Sequence, residues 1–262
     1  MSSVDHVVMF SGGLGSWAAA KRVAEWYGPE RTVLLFADTL MEDPDLYRFI
    51  EEAAADVGGR YIRVAEGRDP WQVFKDKRFL GNSRIDPCSR VLKREFLRKW
   101  LEEHYGPDEV VVHLGIDIEE EHRFRRAQRH WKPYTMRAPL IEKPVVFRHQ
   151  VREMLDQSGI KLPRLYELGF PHNNCGGFCV KAGVSHFHHL LKKLPDVYAH
   201  HEQKEREMQE FLERPVTILR ETRNGERVPV SLTELRERAE SQPEQIGLWE
   251  WGGCGCFSGE GQ

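Results

Sequence analysis

Residues 6–10, His-Val-Val-Met-Phe, form a short apolar run that leads into Ser11-Gly12-Gly13-Leu14-Gly15-Ser16, and a helical pattern follows at once over residues 16–26. Few features constrain a chain more than a glycine-rich turn between a buried strand and a helix. Missing side chains let backbone amides approach an anion, and the helix N-terminus adds partial positive charge. Ser11 and Ser16 supply hydroxyl donors. The turn therefore reads as a phosphate-binding element. No Lys precedes Ser16, so the Walker pattern is absent and a Walker-type NTPase is not expected.

The rest of the first half repeats this rhythm. Residues 33–37, 61–64 and 110–114 read as further short buried strands. Between them lie amphipathic helices over residues 44–57 and 89–104. In the first of these, Leu46, Phe49, Ile50, Ala53 and Val57 make one stripe, and Asp43-Pro44 supplies a cap and a first-turn Pro. Alternating strand and helix predicts an α/β fold with a doubly wound, mostly parallel sheet, whose ligands sit at the carboxyl ends of the strands.

At 262 residues the chain can hold such a core plus a smaller appended region. We place a soft boundary at 150, giving a nucleotide-binding domain over residues 1–150 and a helical and hairpin region with cysteines over residues 151–262. In the latter, residues 151–169 read as a short helix and a loop containing Pro163. Residues 185–213 read as helix interrupted at Pro195. A hairpin of residues 216–220 and 227–230 turns at Asn224-Gly225, and Ser231 with Glu234 makes a capping-box pattern for a last helix.

A net charge of -3 gives no global field for a polyanion, although Arg123, Arg125, Arg126, Arg129, His130 and Lys132 form a local basic cluster. Such a cluster clamps sulfate or phosphate or forms a solvated helix face. Nucleic-acid contact is left open, as is a homo-oligomer. No stretch approaches the roughly 20 apolar residues of a membrane span, and a cytoplasmic location is expected. His186, His188, His189, His200 and His201 show no metal spacing and are expected on exposed helix faces.

Five cysteines are unevenly placed: Cys88 alone, Cys175 with Cys179, and Cys254 with Cys256. Clustering of this kind suits metal ligands or redox groups better than structural disulfides. Cys175, Cys179, Cys254 and Cys256 can close a tetrahedral Zn²⁺ site or hold an iron–sulfur cluster. Alternatively Cys88 is the fourth ligand in place of one tail cysteine, or is a separate nucleophilic thiol. His172 is a further candidate ligand.

Two fingerprints fit the glycine turn. Gly13-Leu14-Gly15-Ser16-Trp17-Ala18 satisfies the dinucleotide pattern, with Asp38 placed to hold a ribose, which would suit a Rossmann-type oxidoreductase. Ser11-Gly12-Gly13-x-x-Ser16 resembles the signature of the PP-loop pyrophosphatases, with Asp38-Thr39 similar to their acidic turn. Further segments resemble the phosphoadenosine phosphosulfate reductase branch of that superfamily. They are Asp86-Pro87-Cys88 through Lys93, His113-Leu114-Gly115-Ile116-Asp117 with Glu121 and Arg123, residues 163–170, and Cys175-Gly176-Gly177-Phe178-Cys179. Their common order spans roughly residues 6–183, which a Rossmann dehydrogenase does not predict.

The resemblance implies a PP-loop, Rossmann-like domain that binds ATP, or an adenylyl sulfate, with Mg²⁺. It implies nucleotide contacts from Ser11, Gly12, Gly13, Gly15, Ser16, Asp38, Gly115 and Arg123, and catalytic roles for Cys88 and Lys93. It favours a [4Fe-4S] cluster over Zn²⁺. The chain departs from the common family form at Gly15, where an Asp is usual. The leading expectation is adenylation of an acceptor with release of pyrophosphate, coupled to sulfur transfer. Reduction of an adenylyl sulfate and a non-catalytic nucleotide-binding or iron–sulfur sensing role are the alternatives.

Overall fold

The computed structural model describes residues 4–82, 84–223 and 225–241. Five strands, β1 (Asp5–Met9), β2 (Thr32–Asp38), β3 (Arg60–Ala65), β4 (Val110–His113) and β5 (Thr135–Arg137), form one sheet in the order β3-β2-β1-β4-β5. Every neighbouring pair is parallel, with Val7 beside Val33 and Val112. The expected doubly wound α/β fold is therefore present. The short edge strand β5 escaped the sequence reading because only Met136 of its three residues is buried, leaving no apolar run to detect.

Alternation along the strands serves both faces, as a covered parallel sheet requires. Val8, Leu34 and Phe36 pack beneath α1 (Leu14–Tyr27) and α2 (Pro44–Val57). Val7, Met9, Val33 and Leu35 point to the opposite face. Helix α2 begins as its sequence predicts, with the Asp43 carboxylate accepting from the Asp45 amide at 2.9 Å and Pro44 in the first turn.

After β3 come α3 (Pro70–Asp76), which the sequence reading did not separate, and the long helical stretch read as residues 89–104. That stretch is α4 (Pro87–Ser89), a π-helical segment Arg90–Glu95, and α5 (Phe96–His104). A π segment inside a helix commonly marks a functional position, and this one buries Val91, Leu92 and Lys93. Leu97 and Leu101 of α5 and Ala127 of α6 (Glu121–His130) close the second face of the sheet. Helix α7 (Arg148–Ser158) lays Val151 and Leu155 into the same cluster as Trp17 and Ala18 of α1.

Beyond α8 (Arg164–Glu167), the chain packs on α3 rather than on the sheet. Trp71 and Phe74 share a cluster with Phe178, Phe187 of α9 (Val184–Lys193), and Tyr198 and Met208 of α10 (Pro195–Leu212). Strands β6 (Leu219–Arg223) and β7 (Glu226–Val230) form the expected hairpin. The Ser231 hydroxyl accepts from the Glu234 amide at 3.1 Å as α11 (Leu232–Ser241) starts.

His200 is exposed as the sequence predicts and His188 and His189 are half-buried, but two of the five histidines overturn the expectation. His186 and His201 are buried. His186 bonds the Gly177 carbonyl at 2.7 Å, while His201 stacks on Phe178 at 3.7 Å and accepts from Trp71 Nε1 at 3.1 Å. Burial among aromatic rings pushes both of these imidazoles below their usual pKa, so both serve as core.

Candidate functional site

The strand order reverses direction between β1 and β4, and ligands of open α/β sheets bind in the crevice outside the carboxyl ends at such a point. A cavity of about 640 Å³ lies there, lined by Ser11, Gly13, Gly15 and Ser16 after β1 and by Gly115, Ile116 and Asp117 after β4. Its volume is in the usual range for a small-molecule site. Helix α1 opens into it with Gly13 as N-cap, no capping side chain and no acidic residue in its first turn. The positive end of the helix is thus left for an outside anion.

Hydroxyls set the loop's inner geometry. Ser16 Oγ donates to the Gly13 carbonyl at 2.8 Å and Ser11 Oγ reaches Ser16 Oγ at 3.3 Å. From the far side, Asn173 donates through Nδ2 to the Gly12 carbonyl at 3.0 Å, and this amide is buried. The Tyr166 hydroxyl stands 3.2 Å from the point where a Cβ on Gly13 would lie. A loop from the C-terminal half therefore forms the second wall of the cavity. It is anchored by Arg164, which ion-pairs with Asp43 and donates its amide to Asp45 at 2.7 Å.

His172 and Arg123 also line the cavity. Burial, reinforced by His186 and the nearby Lys93 and Arg123 cations, pushes the His172 imidazole down to about 3. It is neutral at pH 7. Arg123 ion-pairs with Glu120, another lining residue, and Arg148 joins α7 to Asp117 at 2.5 Å.

A second, small cavity of about 30 Å³ lies on the other side of the same loop, lined by Cys88, Cys175, Cys179, Lys93, Asp86 and Lys181 among others. Glu42 is its organiser. One carboxylate oxygen faces Lys93 Nζ at 3.7 Å and accepts from Thr39 Oγ1 at 2.8 Å, while the other accepts from the Cys175 amide. Burial pushes the Asp86 carboxyl up, against the lowering effect of Arg94 at 3.3 Å.

The predicted residues thus divide. Ser11, Gly13, Gly15, Ser16, Gly115 and Arg123 converge on the large cavity, and Gly12 is held just behind it. Asp38 does not line the cavity. It is buried, accepting from the Leu40 amide at 2.8 Å, Tyr47 at 3.0 Å and Arg63 Nε at 2.9 Å. Lys93 is buried in the small cavity with Cys88. Cys88, Cys175 and Cys179 share that cavity, but among the described residues no three Cys, His, Asp or Glu groups gather closely enough to hold a metal ion. Cys254 and Cys256 lie outside the described residues. The described thiols and a water-sized space do not by themselves fit a four-iron cluster.

Comparison with known families decides which family the chain belongs to. The model of the phosphoadenosine phosphosulfate reductase domain matches residues 5–178, from the first residue of β1 to the second wall of the cavity. The chain belongs to the phosphoadenosine phosphosulfate reductase domain family. It is thereby a member of the PP-loop, adenine nucleotide alpha hydrolase superfamily, a family that binds adenine nucleotides. A search among curated proteins gave no match. Among the described residues, no helix is long and apolar enough to cross a membrane.

Reading of the sequence missed Asn173, Tyr166 and Glu42 as parts of the site. None stands in a glycine motif, and each acts by reaching across some 50 to 160 residues of chain, from Glu42 to Lys93 and from Asn173 to Gly12. Only the Pro163–Phe170 resemblance pointed to the right segment.

Proposed function

We propose that this family member transfers AMP from ATP to an acceptor and releases pyrophosphate. The observation that carries the reading is the open N-terminus of α1, aimed with Ser11, Ser16 and Arg123 into one cavity at the sheet's switch point. Loop amides and hydroxyls are suited to hold a triphosphate, and Arg123 to balance charge that builds on the phosphoryl oxygens. In the reaction an acceptor oxygen bonds to the α-phosphorus as the bond to the α–β bridging oxygen breaks, the acceptor's proton passes to solvent, and pyrophosphate leaves. Neutral His172 and Tyr166 supply polar groups on the acceptor side without adding charge.

Reduction of an adenylyl sulfate requires a thiolate at the sulfur of the bound nucleotide. All three described cysteines line the small cavity, and none lines the nucleotide cavity. That separation supports AMP transfer over reduction by Cys88. Among the described residues, Cys88, Cys175 and Cys179 do not gather closely enough to hold a metal or cluster, so no metal or cluster is given a role. The AMP transfer is derived without one, and iron and zinc analysis after anaerobic purification tests this separately.

The deciding measurement follows acceptor-dependent pyrophosphate release from ATP and, in parallel, sulfite release from adenylyl sulfates supplied with a dithiol. Pyrophosphate without sulfite supports AMP transfer, and loss of that release in Ser16→Ala assigns it to the loop. Sulfite release abolished by Cys88→Ser overturns the reading.

A further inference from the structure

Charge is distributed very unevenly in this chain. Residues 117–152 carry nine Lys and Arg against five Asp and Glu, in a protein whose net charge is -3. Much of the excess is on α6. Ala127 is the buried residue of that helix, with Phe124 packed beside it and Trp131 just beyond its end. His122, Arg125, Arg126 and Arg129 recur at intervals of three, four and seven and form a stripe on the side away from Ala127, with His122, Arg125 and Arg129 exposed and Arg126 half-buried. Arg123, on the flank between the two faces, lines the nucleotide cavity.

The stripe thus starts beside the nucleotide site and runs for about 11 Å from His122 to Arg129, at 1.5 Å per residue. It continues to exposed Lys132. The end of the helix is fixed, because Arg98 donates to the carbonyls of His130 and Lys132, each at 2.6 Å. At its beginning, Glu120 faces Arg123 and Glu121 faces Arg125 at 2.9 Å.

Across the cavity, α7 adds Arg148 and Arg152, both lining it. Arg148 is neutralised by Asp117 at 2.5 Å and Glu119 at 3.2 Å, while Arg152 is exposed. Beside them Phe147 is 48% exposed, its ring parallel to that of His149 at 5.9 Å, and Ile118 is 40% exposed. A basic track joined to an exposed aromatic platform at the mouth of a catalytic cavity is the recognition chemistry of unpaired nucleotides. The track follows phosphates, and the aromatic face takes a base.

We propose that the acceptor is a single-stranded nucleic acid, laid along the α6 stripe with one nucleotide entering the cavity between Arg123 and Arg152. This rests on the reading that AMP transfer takes place in that cavity. A single strand is specified because the reacting group must reach the β1–α1 loop between α6 and α7, which a base-paired nucleotide inside a duplex cannot do. The track itself lies outside the nucleotide-binding loop, so it can be removed without touching it.

Fluorescence anisotropy of labelled 12-nucleotide single-stranded RNA, single-stranded DNA and the matching duplex tests this, with ATP binding measured in parallel. Single strands are expected to bind at least tenfold tighter than the duplex, and whichever of RNA or DNA binds better names the source. The triple variant Arg125→Ala, Arg126→Ala, Arg129→Ala is expected to weaken single-strand binding at least tenfold. It should also reduce the slope of log affinity against log salt by about 2, at roughly 0.7 for each phosphate that is no longer neutralised, with ATP affinity unchanged within about twofold. Absence of binding at low salt, equal binding of duplex, or indifference to the triple variant overturns the proposal. Retained single-strand binding with no ATP binding would instead overturn the AMP-transfer reading and leave the docking track standing.

Discussion

Gly15 and Gly115 are pressed backbone to backbone across the switch point. A Cβ on Gly115 would lie 2.5 Å from the Gly15 carbonyl and the Ser16 amide, and one on Gly15 would lie 2.8 Å from the Gly115 carbonyl oxygen. Real Cβ atoms do not approach backbone so closely, so the turns after β1 and β4 interlock only because both positions lack side chains. Gly15→Asp is therefore expected to lower the melting temperature and weaken ATP binding, not to restore a useful carboxylate. Gly115→Ala should do the same, each by about 1–3 kcal/mol as for an overpacked site. Thermal melts with and without ATP check both.

Asn173 ties the second wall to the glycine loop. Asn173→Ala leaves the buried Gly12 carbonyl without its donor, at an expected cost of about 1–3 kcal/mol. ATP affinity should fall more than the affinity for adenosine, because the bond holds the phosphate loop and not the base. Calorimetry with the two ligands separates these.

Glu42 is the carboxylate facing buried Lys93. Glu42→Ala should destabilise the fold by about 3–5 kcal/mol, the usual result of removing one partner from a buried charge pair. The double variant Glu42→Gln, Lys93→Met should recover much of that loss. Urea unfolding of the three proteins measures it.

Acid should unfold this protein through its histidines. Burial pushes His113 and His201 each down to about 3 from 6.5. Both groups are depressed in the folded state, so their contribution is fully present above pH 6.5 and is lost as pH falls from 6.5 towards 3, where only the unfolded chain takes up the protons. With His172, likewise held down at about 3, three such groups lose together about 6 kcal/mol between pH 6.5 and 5, at 1.36 kcal/mol per unit each. Unfolding free energy measured across that range should fall at least this steeply, and His113→Asn, which still faces His6, should reduce the slope by about one group's share, 1.36 kcal/mol per pH unit.

Local signals determined a large part of this protein. The apolar runs of β1, β2 and β4, the capped start of α2 and the β6–β7 hairpin were legible because their causes lie within a few residues of each other. The same holds for Ser11 to Ser16, whose glycines and hydroxyls are adjacent in the chain. Gly115, Arg123 and Cys175 were legible only through the order in which they follow that turn. Tertiary structure decided the rest. It placed Lys93 against Glu42 and not in the nucleotide cavity, locked Asp38 to Arg63 and Tyr47, and buried His186 and His201 among aromatic rings. It also joined Asn173 to Gly12 and made Gly15 obligatory. Such relationships depend on which side chain or backbone arrives from a distant strand or loop, and residue type and spacing carry no record of that arrival.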